Sequence, residues 1–156
     1  MRVSETASWK GRVRVTVCHR DGTITVEEMD NLITDAGLNL LRDLLEGVVI
    51  DGQIKYMAWG NNATAPVAGD TALVSEQGRK AVTSRTAGTA GVLTTLTYVA
   101  PYEAVEQIEE LGWFAGDTAT STPGSGVMVA RVLYSRLKTD LESLQVERED
   151  ELGRAP

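Results

Sequence analysis

An apolar side chain at every second position is the feature that most constrains what this chain can fold into. Val13, Val15 and Val17 alternate with polar residues, and after an Arg-Asp-Gly turn Ile24 and Val26 continue the alternation. A period of two places these side chains on one face of a strand, and a short polar turn between two such runs is typical of a β-hairpin. Comparable runs recur at short spacing, which predicts about seven or eight strands.

One segment, residues 31–47, departs from this alternation and has helical spacing. Thr34 is a plausible N-cap and Gly47 is placed to end the helix as its C′ residue. Five leucines form or flank its apolar face: Leu38, Leu40, Leu41, Leu44 and Leu45. The pattern therefore predicts a mainly β fold, a β-sandwich or jelly-roll-like barrel, with one amphipathic helix at about 35–46 packed on it.

The polar face of this helix argues against a membrane role. It carries Arg42 against Asp35, Asp43 and Glu46, whereas a helix lying on a membrane surface should present lysine and arginine. No signal peptide and no run of 18 apolar residues is present. We expect a protein made in the cytoplasm, or assembled there into something larger, without a membrane partner.

The chain has 156 residues, the size of one domain. A domain of this length buries roughly 70% of the surface that its unfolded chain exposes, so it needs no stabilising disulfide or metal. We expect an N-terminal arm at residues 1–8, a single β domain at 9–149 and a C-terminal arm at 150–156, because the last residues are polar and end in proline.

Charge is distributed unevenly along the chain. The net charge of −7 argues against a nucleic-acid partner. Residues 1–20 are basic and residues 140–156 are acidic, which suits contacts between an arm and a neighbouring subunit; the alternative is that the two segments lie side by side in one subunit. The candidate assembly contacts are Arg2, Val3, Trp9, Lys10, Arg12, Arg14, Glu149, Asp150, Glu151 and Leu152.

The sequence offers no convincing catalytic, metal or cofactor site. Cys18 and His19 are the sole cysteine and histidine, and neighbours on a strand face opposite ways, which makes a Cys/His pair geometrically poor. Zinc spacing, a GxSxG motif and a P-loop are all missing. The carboxylates at 103–110 lack the arrangement of a glycosidase pair. We therefore expect a protein that is not an enzyme and carries no cofactor or metal.

Three tryptophans, Trp9, Trp59 and Trp113, are candidates for a sugar-stacking surface. Packing in the core or in an interface is the commoner role of tryptophan in strands. Trp9 differs from the other two because it lies at the edge of the basic N-terminal segment, where an aromatic anchor in an interface is useful.

Six segments between about residues 23 and 149 resemble, in their order, a family of small tailed-bacteriophage virion proteins. These are "NLITDAGLNLLRDLL", "IKYMAWGNNATAP", "DTALVSE", "IEELGWF", "GVMVARVLYS" and "LESLQVERE". The resemblance implies a structural protein, most simply a trimeric capsid decoration protein on the virion surface, with the major capsid protein as its partner. It transfers no site residues, because the shared pattern marks core and turns.

Two alternatives stay open. Related proteins are described as tail-fibre-like, so a fibre or receptor-binding tip that contacts tail proteins or host-surface glycans is one; the chain shows no heptad, collagen or β-helical repeat for a shaft. A carbohydrate-binding β-sandwich is the other, and it requires the tryptophans to be exposed together in a groove.

Overall fold

The computed structural model describes residues 4–155, which form nine strands and one helix. The elements are β1 (Ala7–His19), β2 (Ile24–Ile33), α1 (Asp35–Glu46), β3 (Ile54–Gly60), β4 (Glu76–Ala81), β5 (Ser84–Ala87), β6 (Val92–Val99), β7 (Gln107–Ala115), β8 (Val127–Leu137) and β9 (Glu142–Arg154). The predicted mainly β fold with one helix is confirmed.

The strands form one curled antiparallel sheet in the order β4-β3-β7-β8-β2-β1-β9-β6-β5, a half-barrel. β2 turns the corner of the curl, since it pairs with β1 as far as Asn31 and then with β8 through Leu32 and Ile33. Only Val82 and Thr83 separate the edge strands β4 and β5. The Val82 amide donates to the Lys55 carbonyl of β3 (2.9 Å), and the Thr83 amide donates to the Leu96 carbonyl of β6 (2.7 Å). The chain thus passes directly from one edge of the sheet to the other.

The core lies on the concave face of the curl, as the alternation predicts. Val13, Val15 and Val17 of β1 are buried there, while the residues between them are less buried or exposed. Trp113 of β7 and Met57 of β3 are among the largest buried side chains. β1 and β9 thus contribute every second residue to the core. Ile24 and Val26 of β2 continue the alternation in the sequence but are exposed, so the apolar face of the first hairpin is buried only on the β1 side.

Helix α1 begins and ends where its sequence predicts. The Thr34 hydroxyl accepts a hydrogen bond from the Gly37 amide (3.0 Å) and donates one to the Met128 carbonyl (2.5 Å), so the N-cap also ties the helix to β8. Gly47 has a left-handed φ of 82°, a conformation that glycine adopts without strain. Gly37 allows close approach, because a Cβ there would lie 2.8 Å from the Val129 carbonyl oxygen.

A buried ion-pair network fixes the long loop between β3 and β4. The Arg131 guanidinium donates to Glu110 (2.8 Å), Asp70 (3.2 Å) and the Thr64 carbonyl (2.7 Å). Glu110 in turn accepts the amides of residues 74 and 75 at 3.1 and 2.8 Å. The buried charges are paired and hydrogen-bonded, which is the condition under which a charge is tolerated in a core.

The division into a domain and two arms differs from the structure. β1 begins at Ala7, and β9 continues past the expected boundary at 149 to Arg154, which pairs with Ala7. The segment expected to be a loose C-terminal arm is therefore strand through Arg154. Residues 1–3 and 156 lie outside the described residues.

Replacing Glu110 by alanine should lower the free energy of unfolding by about 3–5 kcal/mol, because Arg131 is left as a buried charge without its main partner. Glu109→Ala, at the neighbouring and more exposed position, should change it by no more than about 0.5 kcal/mol. Urea denaturation of both variants measures the difference. Equal effects would show that the network does not hold the fold.

Because of Tyr134, we expect the free energy of unfolding to fall at alkaline pH. Burial raises the pKa of this phenol to about 12, against about 10 in an unfolded chain. The folded state therefore holds the proton more tightly, and this contribution is present below pH 10 and lost between about pH 10 and 12. The difference between wild-type and Tyr134→Phe absorbance titrations at alkaline pH isolates the phenol; a midpoint at the unfolded value would contradict the assignment.

Candidate interaction surface

The predicted contact residues lie on β1 and β9, which pair with each other. Trp9 faces Leu152, Lys10 faces Glu151 and Arg12 faces Glu149 in the antiparallel ladder. The basic and acidic segments thus neutralise each other within one subunit, which is the alternative that the sequence left open, and the expected charge attraction between subunits has no support here. Arg14 pairs with Glu28 of β2 at 3.3 Å. Arg2 and Val3 lie outside the described residues.

Two of these residues, Trp9 and Asp150, belong to a cluster inside the curl. Asp150 is 3% exposed, accepts a hydrogen bond from Trp9 Nε1 (2.7 Å) and forms an ion pair with the fully buried Arg148. The Arg148 guanidinium lies 6.0 Å from the Trp9 ring centre and 5.4 Å from that of Trp113. Burial lowers the pKa of Arg148, and the carboxylate beside it acts in the opposite direction. Asp150 therefore serves the fold and is not free for a partner.

Sequence reasoning missed Arg148, although a signal was present. Leu144, Val146, Arg148 and Asp150 occupy alternate positions of β9 and all face the core. The period of two that identifies the strand places both charged residues on its apolar face, so they had to be paired there.

An apolar groove lies between α1 and the paired ends of β1 and β9. It encloses about 740 Å³, with Leu38 and Leu41 on the helix side and Trp9 and Leu152 on the strand side. A second cavity of about 300 Å³ adjoins it and shares Trp9, Leu41 and Leu152. We refer to the larger cavity as the α1 groove. Three of the predicted contacts, Trp9, Glu151 and Leu152, thus line this groove.

Helix α1 has two leucine stripes, and the core covers one of them. Gly37 and Leu40 are buried against the sheet and Leu44 is half-buried. Leu38, Leu41 and Leu45 form the second stripe, in which Leu38 is 48% and Leu45 83% exposed. The interpretation of α1 as a cover for the sheet therefore accounts for two of its five leucines.

The second stripe continues into the segment that follows the helix. Val48, three residues after Leu45, is 71% exposed, and Ile50 is 95% exposed. Large apolar side chains grouped on one surface commonly mark a site of protein–protein interaction. We call Leu45, Val48 and Ile50 the α1 knob.

The tryptophans do not form a shared exposed groove. Trp113 is fully buried, and Trp59 is 9% exposed with its indole nitrogen donating to Glu106 at 2.6 Å. Trp9 alone contributes to the α1 groove. The condition that the carbohydrate-binding alternative requires is therefore not met.

The groups considered for catalysis are engaged in structural contacts. His19 lies 3.6 Å from Glu142 and 3.3 Å from the Thr25 hydroxyl, and Cys18 beside it is half-buried in the same strand. Arg136 beside Glu142 holds the pKa of that carboxyl below its usual value. Within residues 4–155, no group of three histidine, cysteine or carboxylate side chains is placed to hold a metal ion. The same part of the chain contains no helix long and apolar enough to cross a membrane.

The two stripes of α1 should respond differently to truncation. Leu40→Ala should lower the free energy of unfolding by about 2–5 kcal/mol, because it leaves a cavity in the core. Leu45→Ala, on the exposed stripe of the same helix, should change it by less than about 0.5 kcal/mol when the protein is dilute. Chemical denaturation measures both, and an equally large loss for Leu45→Ala would place that side chain in the core.

Comparison of the chain with models of known protein families, with curated proteins and with solved structures gives no match.

Proposed function

We propose that this chain is a structural protein of a tailed-bacteriophage virion, most simply a capsid decoration protein that associates with copies of itself and stabilises the head shell. The observation that carries the proposal is the apolar surface formed by the α1 groove and the α1 knob. Exposed apolar surface of this kind favours burial against another protein.

Five of the six segments that carry the resemblance fall largely on strands or on the helix, which supports the proposal; the sixth, 70–76, lies in the loop that leads into β4. The first spans the end of β2 and α1 as far as Leu45, and others cover β3 and most of β7, β8 and β9. Their apolar residues supply much of the core, Trp113 and Met57 among them. The resemblance therefore concerns the scaffold, whereas the proposed contact surface is an inference from this structure.

A protein that reinforces a shell has to keep its shape under load, and the loops of this chain are tied down. Arg79 donates to the carbonyls of Thr120 (3.1 Å) and Ser125 (2.9 Å) in the loop before β8, and it stacks 4.2 Å from the Phe114 ring centre. The Arg131 network does the same for the loop before β4. Loops that are already fixed by hydrogen bonds lose little conformational entropy on binding, which favours tight association.

Association of several copies also explains how a small contact between each copy and the shell can give stable binding. When one copy of an oligomer touches the shell, the others are held near equivalent sites and bind at a high effective concentration. A surface of a few apolar side chains on each copy then gives stable decoration without a large interface per copy.

Purified protein should co-sediment with expanded, empty capsids of the phage that encodes it, in many copies per particle. The matched variants are Leu45→Glu in the α1 knob and Leu137→Glu at an exposed leucine of β8. Charge at Leu45 opposes burial, so the first should reduce binding at least about tenfold, a change of 1.4 kcal/mol, and the second should not.

Binding to host cells or glycans without binding to capsids would contradict the decoration role and favour a receptor-binding tip. Equal loss of capsid binding in both variants would show that the α1 surface is not the contact.

A further inference from the structure

Strand β2 lacks a neighbouring strand along most of one edge. It pairs with β1 over residues 24–31, but with β8 only through Leu32 and Ile33. Beyond that contact β8 continues to Leu137 and pairs with β7 alone. In the part of the chain that the structure describes, the edge of β2 from residue 24 to 30 therefore has no strand beside it.

The exposure of these residues agrees with an open edge. Every residue from 24 to 30 is exposed except Met29, which is half-buried. Ile24 is 62% and Val26 52% exposed. In an antiparallel pair every second residue exchanges hydrogen bonds with the neighbouring strand, so the alternate residues of β2 direct their N–H and C=O groups away from β1. Such an edge is where another extended chain can add to a sheet.

The open edge is also acidic. Glu27, Glu28 and Asp30 are exposed, and β2 contains no basic residue. Glu28 pairs with Arg14 of β1 at 3.3 Å, whereas Glu27 and Asp30 form no ion pair within residues 4–155. Two carboxylates on this edge can therefore receive a cation from outside the chain.

Two basic side chains beside this edge have other partners. Arg12 lies opposite Asp30 in the ladder but pairs with Glu149 at 3.5 Å. On β8, Arg136 is held by Glu142 in an ion pair. The edge therefore stays negative. This charge disfavours a contact between the β2 edges of two copies, because like charges would then lie opposite each other.

We propose that the open edge of β2 binds an extended segment of another protein, which adds to the sheet as an antiparallel strand and carries lysine or arginine followed by apolar residues. Along one face of β2 the apolar Ile24 and Val26 precede the acidic Glu28 and Asp30. An antiparallel partner runs in the opposite direction, so its basic residues come first and its apolar residues follow.

This edge is separate from the α1 groove and the α1 knob, neither of which contains a residue of β2. The inference thus goes beyond the proposed function and does not depend on it. Strand addition at β2 and capsid contact at α1 are tested by different measurements, and either result leaves the other standing.

The first experiment uses the heptapeptide Lys-Thr-Lys-Lys-Val-Thr-Val, acetylated and amidated at its ends, as the probe. In an antiparallel arrangement its lysines lie opposite Asp30, Glu28 and Glu27, and its valines opposite Val26 and Ile24. The control peptide has glutamate in place of each lysine. Both are titrated into the isotope-labelled full chain, and the backbone amide resonances are followed by NMR.

The lysine peptide should bind with a dissociation constant at least about tenfold lower than that of the glutamate peptide. Its amide shifts should concentrate at residues 24–30. Absence of binding, equal binding of both peptides, or shifts confined to other segments would overturn the inference.

Charge reversal separates a specific contact from general attraction to an acidic protein. The double variant Glu27→Lys with Asp30→Lys should reverse the preference and bind the glutamate peptide more tightly. The double variant Glu46→Lys with Asp117→Lys makes the same change in net charge at exposed positions outside β2, and it should keep the wild-type preference. Thermal melts establish that both are folded. Equal effects of the two double variants would contradict a site on β2.

Methylation of the peptide backbone tests whether the contact is a strand pairing. Two further lysine peptides carry N-methyl groups on alternate sets of amides. In a strand the two sets point to opposite sides, so one set faces β2 and the other faces solvent. One methylated peptide should lose binding, and the other should bind within about twofold of the parent peptide. An equal loss in both would show that no strand is added.

Discussion

The pairing of β1 with β9 is the interaction on which the rest of the structure depends. The ladder runs from Ala7 opposite Arg154 to His19 opposite Glu142 and lies near the middle of the strand order. The ladder joins the first and last strands, so it pairs residues that are far apart in the sequence. Its basic and acidic residues face each other on the less buried side, while Arg148 and Asp150 meet inside the curl. The basic and acidic segments, which suggested contacts between subunits, thus pair with each other within one subunit.

The ladder also creates the surface to which a function can be assigned. Its end carries Trp9 and Leu152 to the side of α1, and the α1 groove lies between them and the helix. The helix could not line a groove if its leucines all packed on the sheet. Because it presents a second stripe, one short helix both covers the core through Leu40 and offers apolar surface outside it through Leu45. Scaffold and proposed contact surface therefore share one element.

Much of the fold could be predicted from the sequence pattern, because strand alternation and helix caps depend on residues that are close together in the chain. The valines of β1, the N-cap Thr34 and the C′ residue Gly47 lie where the sequence places them. Strand order could not be predicted, since alternation identifies a buried face without naming the neighbour. The arms were misjudged for the same reason: a polar tail such as 150–154 becomes strand when an unpaired edge of β1 accepts it. Of the predicted contact residues, Trp9, Glu151 and Leu152 line the groove. The leucine spacing could not reveal which stripe of the helix the sheet leaves exposed.

The central claim is that the surface around α1 is where this protein meets other proteins of an assembly. Amide hydrogen exchange with and without expanded capsids tests it most directly, since it reports protection segment by segment. The account predicts slower exchange at 38–50 and 151–154 when capsids are added. Unchanged exchange in both segments, with protection confined to another surface such as the exposed residues of β2, would contradict it.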